Sequence, residues 1–181
     1  MPTYLGVDTS HYTTSLAVYD EQGGELSSYR LLLPVKDGER GLRQSDAVFH
    51  HVRQLEQLVG ELPEDAFRRL SAVAVSTRPR EVEGSYMPCF LPGKTVAAAV
   101  AKAAGVRCYE TTHQWGHLLA AAYSAGRIDL LEAPFLAFHL SGGTTELLLC
   151  RPRTGEDPGL TPIGKTLDLH AGQLIDRVGV L

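Results

Sequence analysis

The sequence predicts an α/β fold in which helices cover the faces of a mixed sheet. Short apolar runs of strand length alternate with longer stretches of helical periodicity, in the order βββαβαβα. The strand pattern then begins again near Pro134, which indicates an internal repeat. The 181 residues are 44% hydrophobic and 21% charged, a composition typical of a globular protein with its own core.

The first third of the chain is predicted to form three strands. They lie at residues 4–7, 15–19 and 25–33, and turn-like sequences separate them. The first two strands are expected to form a hairpin.

A long amphipathic helix is predicted from Asp46 to Leu62, with Ser45 or Asp46 as its N-cap and Pro63 at its end. Apolar side chains recur at steps of three and four residues, which places them on one helix face. His51 is assigned to the polar side of this helix. The positions assigned to the apolar face are Val48, Phe49, Val52, Leu55, Leu58, Val59 and Leu62.

The middle of the chain is predicted to alternate strands at residues 72–76 and 106–109 with helices at 94–104 and 112–124. Gly105 is expected to close the Ala-rich helix. That helix suits packing within the fold or against a partner helix.

A phosphate-binding loop is not predicted at Gly93-Lys94-Thr95, because Pro88 stands where the motif needs glycine. The sequence there is interpreted as a helix start after Pro92. Basic side chains nearby either line a phosphate- or RNA-facing cleft or belong to a solvated loop. They are Arg78, Arg80 and Lys94.

The repeat begins with a strand at residues 136–140, the turn Ser141-Gly142-Gly143 and a strand at 144–150. Residues 13–16 (TTSL) and 144–147 (TTEL) both open the second strand of a hairpin. The sequence therefore predicts a first lobe over 1–133 and the beginning of a second over 134–181, with a third strand at 160–165 and a helix from Asp168. Turns rich in Gly, Ser and Thr suit a phosphate, and ordinary hairpin turns are the alternative.

The net charge, the apolar runs and the cysteine spacing argue against several classes of function. The net charge of −4 argues against unaided nucleic-acid binding. No apolar run approaches the roughly 20 residues of a membrane span. Cys89, Cys108 and Cys150 lie far apart, with no metal or redox spacing, which predicts reduced thiols in a cytoplasm.

Four segments carry a resemblance to a known family. LGVDTS at 5–10, HQWGHLLAA at 113–121, LSGGTTEL at 140–147 and IGKTLDLHAGQLIDR at 163–177 resemble, in order, the TsaD family. These proteins, also called Gcp or Kae proteins, make threonylcarbamoyladenosine in tRNA and were formerly named O-sialoglycoprotein endopeptidases. The resemblance implies the actin-like ATPase (ASKHA) superfamily, in which two RNase H-like lobes clamp a nucleotide. It also implies that this chain holds the first lobe and the start of the second.

The resemblance implies a site for ATP or an adenylate, from which a threonylcarbamoyl group passes to N6 of a tRNA adenosine. It also implies a divalent metal, iron or zinc, held by an HxxxH helix that His113 and His117 match. Their spacing places both imidazoles on one helix face, although such pairs are also common in purely structural roles. Gln114 replaces the glutamate of an HExxH peptidase, so peptidase chemistry is not expected. The implied nucleotide-binding residues are His139, Leu140, Ser141, Gly142, Gly143 and Asp176.

The sequence departs from the family pattern at several of these places. Tyr12 and Thr13 stand where the family usually carries acidic residues, and Trp115 and Thr144 replace a glutamate and a histidine. Losing carboxylates lowers general-base capacity, so the sequence leaves open whether transferase activity is retained.

The resemblance implies a dimer, formed through first-lobe helices with a TsaB-like protein or a second copy. tRNA would then be reached through partners or a further lobe. Two other functions stay open. One is a catalytically silent scaffold for a true transferase, and the other is an actin-like phosphotransferase in which Asp8 aligns Mg²⁺ and ATP.

Overall fold

The computed structural model describes residues 2–10, 12–35, 42–141, 143–151 and 159–179. It divides into two compact units, Met1–Gly116 and His117–Leu181. The division into lobes at residues 133 and 134 stays a prediction. Among the described residues, no helix has both the length and the apolar character that crossing a membrane requires.

The first unit is built on a five-stranded mixed sheet in the order β3-β2-β1-β4-β5. Strands β1 (Thr3–Asp8), β2 (Thr13–Asp20) and β3 (Glu25–Leu32) form an antiparallel meander. Strands β4 (Leu70–Arg78) and β5 (Arg107–Thr112) extend it in parallel to β1. The predicted mixed sheet is confirmed.

Helices connect these strands in the predicted order. They are α1 (Gln44–Glu61), the unpredicted short α2 (Glu64–Arg68), α3 (Phe90–Ala104) and α4 (His113–Ser124). Helix α3 begins four residues before its predicted start, because a proline is tolerated in a first helical turn, where the N–H has no intrahelical acceptor. The predicted close at Gly105 is confirmed by its left-handed φ of 67°.

The first-unit core lies between the sheet and helices α1 and α3. Small side chains on α3, Ala97 and Ala101, are fully buried and let this helix approach β4 and β1 closely. Leu55 and Leu58 of α1 reach the same core. The sheet contributes Leu5, Val7, Leu16, Val18, Val73 and Val75.

Two details predicted for α1 are wrong. Phe49 and Val52 are more than half exposed, whereas His51 is fully buried. The buried side is instead formed by Ala47, His51, Leu55 and Leu58, at steps of four and three residues, and at 100° per residue Phe49 points the opposite way. The N-cap is Arg43, whose carbonyl accepts the first backbone hydrogen bonds, and no side chain caps the helix.

His51 is accommodated by hydrogen bonds that join α1 to two strands. Thr14 Oγ1 lies 2.7 Å from His51 Nδ1 and donates to Gln54 Oε1 at 2.6 Å. Because the hydroxyl proton goes to Gln54, His51 Nδ1 is the donor to Thr14. Gln54 Nε2 in turn donates to the Leu32 carbonyl at 2.8 Å.

The second unit contains a 3₁₀ helix (Ile128–Glu132), a three-stranded antiparallel sheet and a final helix. Strands β6 (Phe135–Leu140), β7 (Thr145–Arg151) and β8 (Gly159–Lys165) follow one another in space, and α5 spans Ala171–Gly179. The predicted second hairpin and third strand are confirmed. The last helix begins three residues after the predicted Asp168.

The two hairpins share a register. When Thr14 is aligned with Thr145, Asp8 on β1 corresponds to His139 on β6. Asp8 pairs with Ser15, and His139 pairs with Glu146, the residue aligned with Ser15. The hairpins therefore match residue by residue, as the repeated TTSL and TTEL segments predict.

Candidate functional site

The carboxyl ends of three parallel strands bring polar residues to one edge of the first-unit sheet. Asp8 ends β1, Ser76 lies near the end of β4, and Thr112 ends β5 just before His113 opens α4. In α/β sheets this edge is where ligands usually bind. Ser76 and Thr112 are buried there.

Asp8 and His113 form the central contact of this edge. His113 Nδ1 lies 2.9 Å from Asp8 Oδ2, and both side chains are partly exposed. The amide of Ser10 donates to Asp8 Oδ1 at 2.8 Å, so both carboxylate oxygens accept hydrogen bonds. The imidazole also lies near the ring of Phe90, at 6.3 Å between centroids.

The Asp8 carboxyl is held in its ionised form. Burial raises its pKa, but hydrogen bonds from His113, Ser76 and Ser10 and the positive charge of His113 outweigh burial and lower the pKa to about 2. When the imidazole is neutral, a carboxylate at Nδ1 favours the tautomer in which Nε2 carries the lone pair. That arrangement is typical of histidines that bind metals.

Helix α3 meets the end of β1 at Gly93. Its amide donates to Thr9 Oγ1 at 3.2 Å, and Thr9 is fully buried. A Cβ at position 93 would lie 2.7 Å from Thr9 Oγ1 and 3.3 Å from Val7 Cγ1. Glycine is therefore required here for close packing.

Two of the basic residues considered for a phosphate or RNA cleft have acidic neighbours. Lys94 Nζ lies 2.9 Å from Glu110, and Arg78 lies 3.9 Å from Glu81. The choice between a cleft and a solvated loop stays a prediction.

The predicted metal ligands both lie on α4, one helical turn apart. His113 contacts Asp8, as described above. The ring of His117 lies beside that of His139, with 5.8 Å between centroids. Among the described residues, no three His, Cys, Asp or Glu side chains come together in a way that could hold a metal ion. The donor set therefore fits two imidazole ligands of a metal, one of them oriented by a carboxylate, and not a complete site.

The predicted nucleotide loop is the turn between β6 and β7. Its hydrogen bonds are partly internal: the Ser141 amide donates to the Thr144 carbonyl at 2.7 Å, and the Gly143 amide donates to Ser141 Oγ at 3.3 Å. Leu140, before the turn, is more than half exposed. Gly142 lies outside the described residues.

The start of α5 is joined to this turn. The Gly172 amide donates to the Ser141 carbonyl at 3.1 Å, and the Ala171 amide donates to Thr145 Oγ1 at 2.8 Å. Asp176 is exposed on α5, five residues after Ala171, or about 7.5 Å along the helix axis. The structure thus brings the turn and the helix start together.

Sequence reasoning missed two contacts. The sequence suggests Asp8 as a magnesium ligand but not its hydrogen bond to His113, and it does not predict the contact between Thr9 and Gly93. The sequence does contain a signal for the first contact: Asp8 directly follows one predicted strand, and His113 comes soon after another. Strands of a parallel sheet bring such ends together.

Solved structures with the same chain path define the class of fold. YeaZ from Pseudomonas aeruginosa is 18% identical, with a TM-score of 0.50 over 89% of this chain and 64% of that chain. An inorganic polyphosphate/ATP-glucomannokinase from Arthrobacter sp. strain KM is 14% identical, with a TM-score of 0.54 over 100% of this chain and 72% of that chain. The fold is that of the actin-like ATPases, as the sequence resemblance implies.

Sequence comparison then gives the family. The family model of TsaD, described as tRNA N6-adenosine threonylcarbamoyltransferase, matches residues 37–181. Curated relatives with that description come from Latilactobacillus sakei, at 33% identity, and Enterococcus faecalis, at 32%, each over 97% of this chain and 48% of the relative. The chain belongs to the TsaD family. It spans about half the length of the curated relatives it matches.

Proposed function

We propose that this protein acts in the threonylcarbamoyladenosine modification of tRNA by binding the adenylate intermediate or ATP. The observation that carries the proposal is the turn between β6 and β7, which consists of small residues and is fixed to the start of α5 by two hydrogen bonds. Small residues leave room for a phosphate beside the turn, and the positive end of the α5 helix dipole favours an anion. Family membership supplies the adenylate as the ligand class.

Each predicted residue has a role in this proposal. The residues from His139 to Gly143 would line the phosphate side of the ligand. Asp176 would accept hydrogen bonds from ribose hydroxyl groups. His113 and His117 would hold a divalent iron or zinc ion, with Asp8 fixing the His113 ring. Such a metal, when bound, supplies Lewis acidity.

We propose that threonylcarbamoyl transfer needs more than this chain. Tyr12 and Thr13 cannot act as the carboxylate bases expected at those positions, and the described residues offer only two ligands of the metal. A TsaB-like partner or a second copy would complete the assembly, and tRNA would be reached through it in the cytoplasm. A catalytically silent scaffold is therefore the second candidate function. The lack of carboxylates at positions 12 and 13 supports it.

A phosphotransferase is less well supported. A kinase-type site would need Asp8 to align Mg²⁺, whereas both Asp8 oxygens accept hydrogen bonds from His113 and Ser10. Substituting His113→Ala separates these functions. Loss of zinc binding supports the transferase-type site, and unchanged zinc and ATP binding favours a kinase-type site.

The nucleotide site is tested by calorimetric titration with AMP and ATP. At Gly143 nothing lies within 4 Å of an added Cβ, so Gly143→Val should fold and still fill the space proposed for the phosphate. We expect affinity to fall at least about tenfold, which corresponds to about 1.4 kcal/mol. Gly159→Val is the matched control, because Gly159 also lies in open space. Equal binding by both variants, or no binding by the unaltered protein, would refute the proposed site.

A further inference from the structure

We infer that Phe90, the first residue of α3, is a positioning residue for His113, and that its ring holds the imidazole in the orientation that presents Nε2 to a metal ion. The inference rests on the metal-binding role proposed above for His113. It adds a residue that no motif of the sequence indicates. Phe90 acts through the histidine and does not itself touch the metal.

The main chain around His113 is fixed by hydrogen bonds to two other segments. The Gln114 amide donates to the Pro79 carbonyl at 3.1 Å, and the Trp115 amide donates to Thr112 Oγ1 at 3.2 Å. Thr112 is buried and caps the first turn of α4, and the Trp115 side chain is buried as well. The direction of the His113 imidazole therefore depends on its side-chain torsions.

A single hydrogen bond does not fix an imidazole ring. The outer torsion of a histidine side chain is broad, so the ring can turn while Nδ1 stays near its acceptor. Asp8 Oδ2, 2.9 Å away, fixes the position of Nδ1. The Phe90 ring lies 6.3 Å from the imidazole between centroids and is tilted by 58° to it, an arrangement typical of favourable aromatic pairs. This second contact limits rotation of the ring, so Nε2 keeps one direction.

Phe90 is held firmly enough to position another ring. It is 3% exposed and packs with Ala47 of α1 and with Cys89 in a small core cluster. The Cys89 amide donates to Gln44 Oε1 at 3.2 Å, and the Phe90 amide donates to the Met87 carbonyl at the same distance. These contacts join the start of α3 to the start of α1. Side chains locked by packing in this way are the ones that can hold a ligand-binding group in place.

Phe90 also shields the hydrogen bond between Asp8 and His113. The His113 side chain is one-third exposed, so water competes for its ring nitrogens. An apolar ring beside the imidazole lowers the local polarity and strengthens the bond to the carboxylate. Loss of the ring should therefore loosen Nδ1 as well as Nε2. A Phe90 that served only the small core would leave both nitrogens unchanged.

The test replaces Phe90 by leucine, which keeps an apolar side chain in the small core and removes the ring. Phe67→Leu is the matched control, because Phe67 is partly buried against the main core. It lies on α2, which contacts Thr3 at the other end of β1 from Asp8.

Two measurements follow the His113 ring in both variants. Nuclear magnetic resonance reports on the Nδ1 proton without any metal, and its exchange with water should be at least about tenfold faster in Phe90→Leu. Zinc affinity, measured by competition with a coloured chelator, should fall about tenfold in the same variant, at the lower end of the range for residues that orient a metal ligand. Phe67→Leu should change neither quantity.

Three results would overturn the inference. The first is an equal exchange rate of the Nδ1 proton in the unaltered protein and in Phe90→Leu. The second is an equal effect of both leucine variants, which would assign the change to stability. The third is an unaltered zinc affinity in Phe90→Leu.

The same measurements separate this inference from the proposed metal site. If the unaltered protein binds no zinc, the metal role of His113 fails, and the exchange rates alone decide whether Phe90 positions the ring. The unaltered protein keeps the test decisive even if Phe90→Leu does not fold. A slowly exchanging Nδ1 proton with a nuclear Overhauser contact between the two rings is the expected result, and a rapidly exchanging proton without that contact would contradict it.

Discussion

Replacing Gly93 by alanine should destabilise the first unit, although alanine is normally the better helix residue. Gly93 lies in the first turns of α3, where its amide donates to Thr9 Oγ1. An added Cβ would lie 2.7 Å from that oxygen and 3.1 Å from Thr9 Cγ2. Thr9 is fully buried and has little room to move away.

The expected magnitude follows from three effects. Overpacking a close contact costs about 1–3 kcal/mol, and weakening the Gly93–Thr9 hydrogen bond costs about 1 kcal/mol. Alanine recovers about 1 kcal/mol through helix propensity. The free energy of unfolding should therefore fall by about 1–3 kcal/mol.

Urea denaturation followed by circular dichroism measures this change. Gly60→Ala is the matched control, because Gly60 lies on α1 with nothing within 4 Å of an added Cβ. This control should be stabilised by up to about 1 kcal/mol. Adding Thr9→Ala to Gly93→Ala should recover part of the loss, since it removes both clashing atoms. A Gly93→Ala protein as stable as the Gly60→Ala control would refute the reasoning.

Three further outcomes are expected. Thr14→Val should lower the free energy of unfolding by about 1–3 kcal/mol in urea titrations, because it removes a hydroxyl buried between His51 and Gln54; Thr13→Val, at the partly exposed neighbouring position, should have little effect. Asp8 has a pKa lowered from 3.8 to about 2, so its stabilisation is present above pH 4 and is lost as the pH falls towards 2. After allowance for its partial exposure this amounts to about 1–2 kcal/mol, and Asp8→Asn should flatten the pH dependence of urea midpoints between pH 4.5 and 2.5. Cys108, the only partly exposed one of the three cysteines, should react first with a disulfide reagent. Burial and then Glu110 raise its thiol pKa, so mass spectrometry should show a slow reaction that speeds up at higher pH.

Most elements were predictable because each has a local signal. Strands β1 and β2 alternate in burial with period two, and Gly105 ends α3 in the left-handed conformation that favours glycine. The buried side of α1 was not predictable in this way. Phe49 is apolar enough to suggest burial, but the helix places His51 inwards because Thr14, which is itself held by Gln54, forms a hydrogen bond with His51 Nδ1. Such tertiary hydrogen bonds leave no trace in hydrophobic periodicity.

The candidate site was predictable as a set of motifs and not as a set of contacts. His113 and His117 follow from their spacing on one helix, and the turn at Ser141 follows from its small residues. The contact between Asp8 and His113 joins residues 105 positions apart. It depends on the parallel pairing of β1 with β4 and of β4 with β5, which no local pattern specifies.

The mixed sheet also has a consequence for folding on the ribosome. Strands β1, β2 and β3 pair with their immediate neighbours in sequence and can form a meander early, at low contact order. The other edge of β1 must wait for β4, since Thr3 pairs with Leu70, 67 residues later. At about 5–20 residues per second, this edge stays open for roughly 3–13 seconds of synthesis. During that interval the nascent meander has to avoid pairing with other chains, and a chaperone that shields strand edges would raise its folding yield.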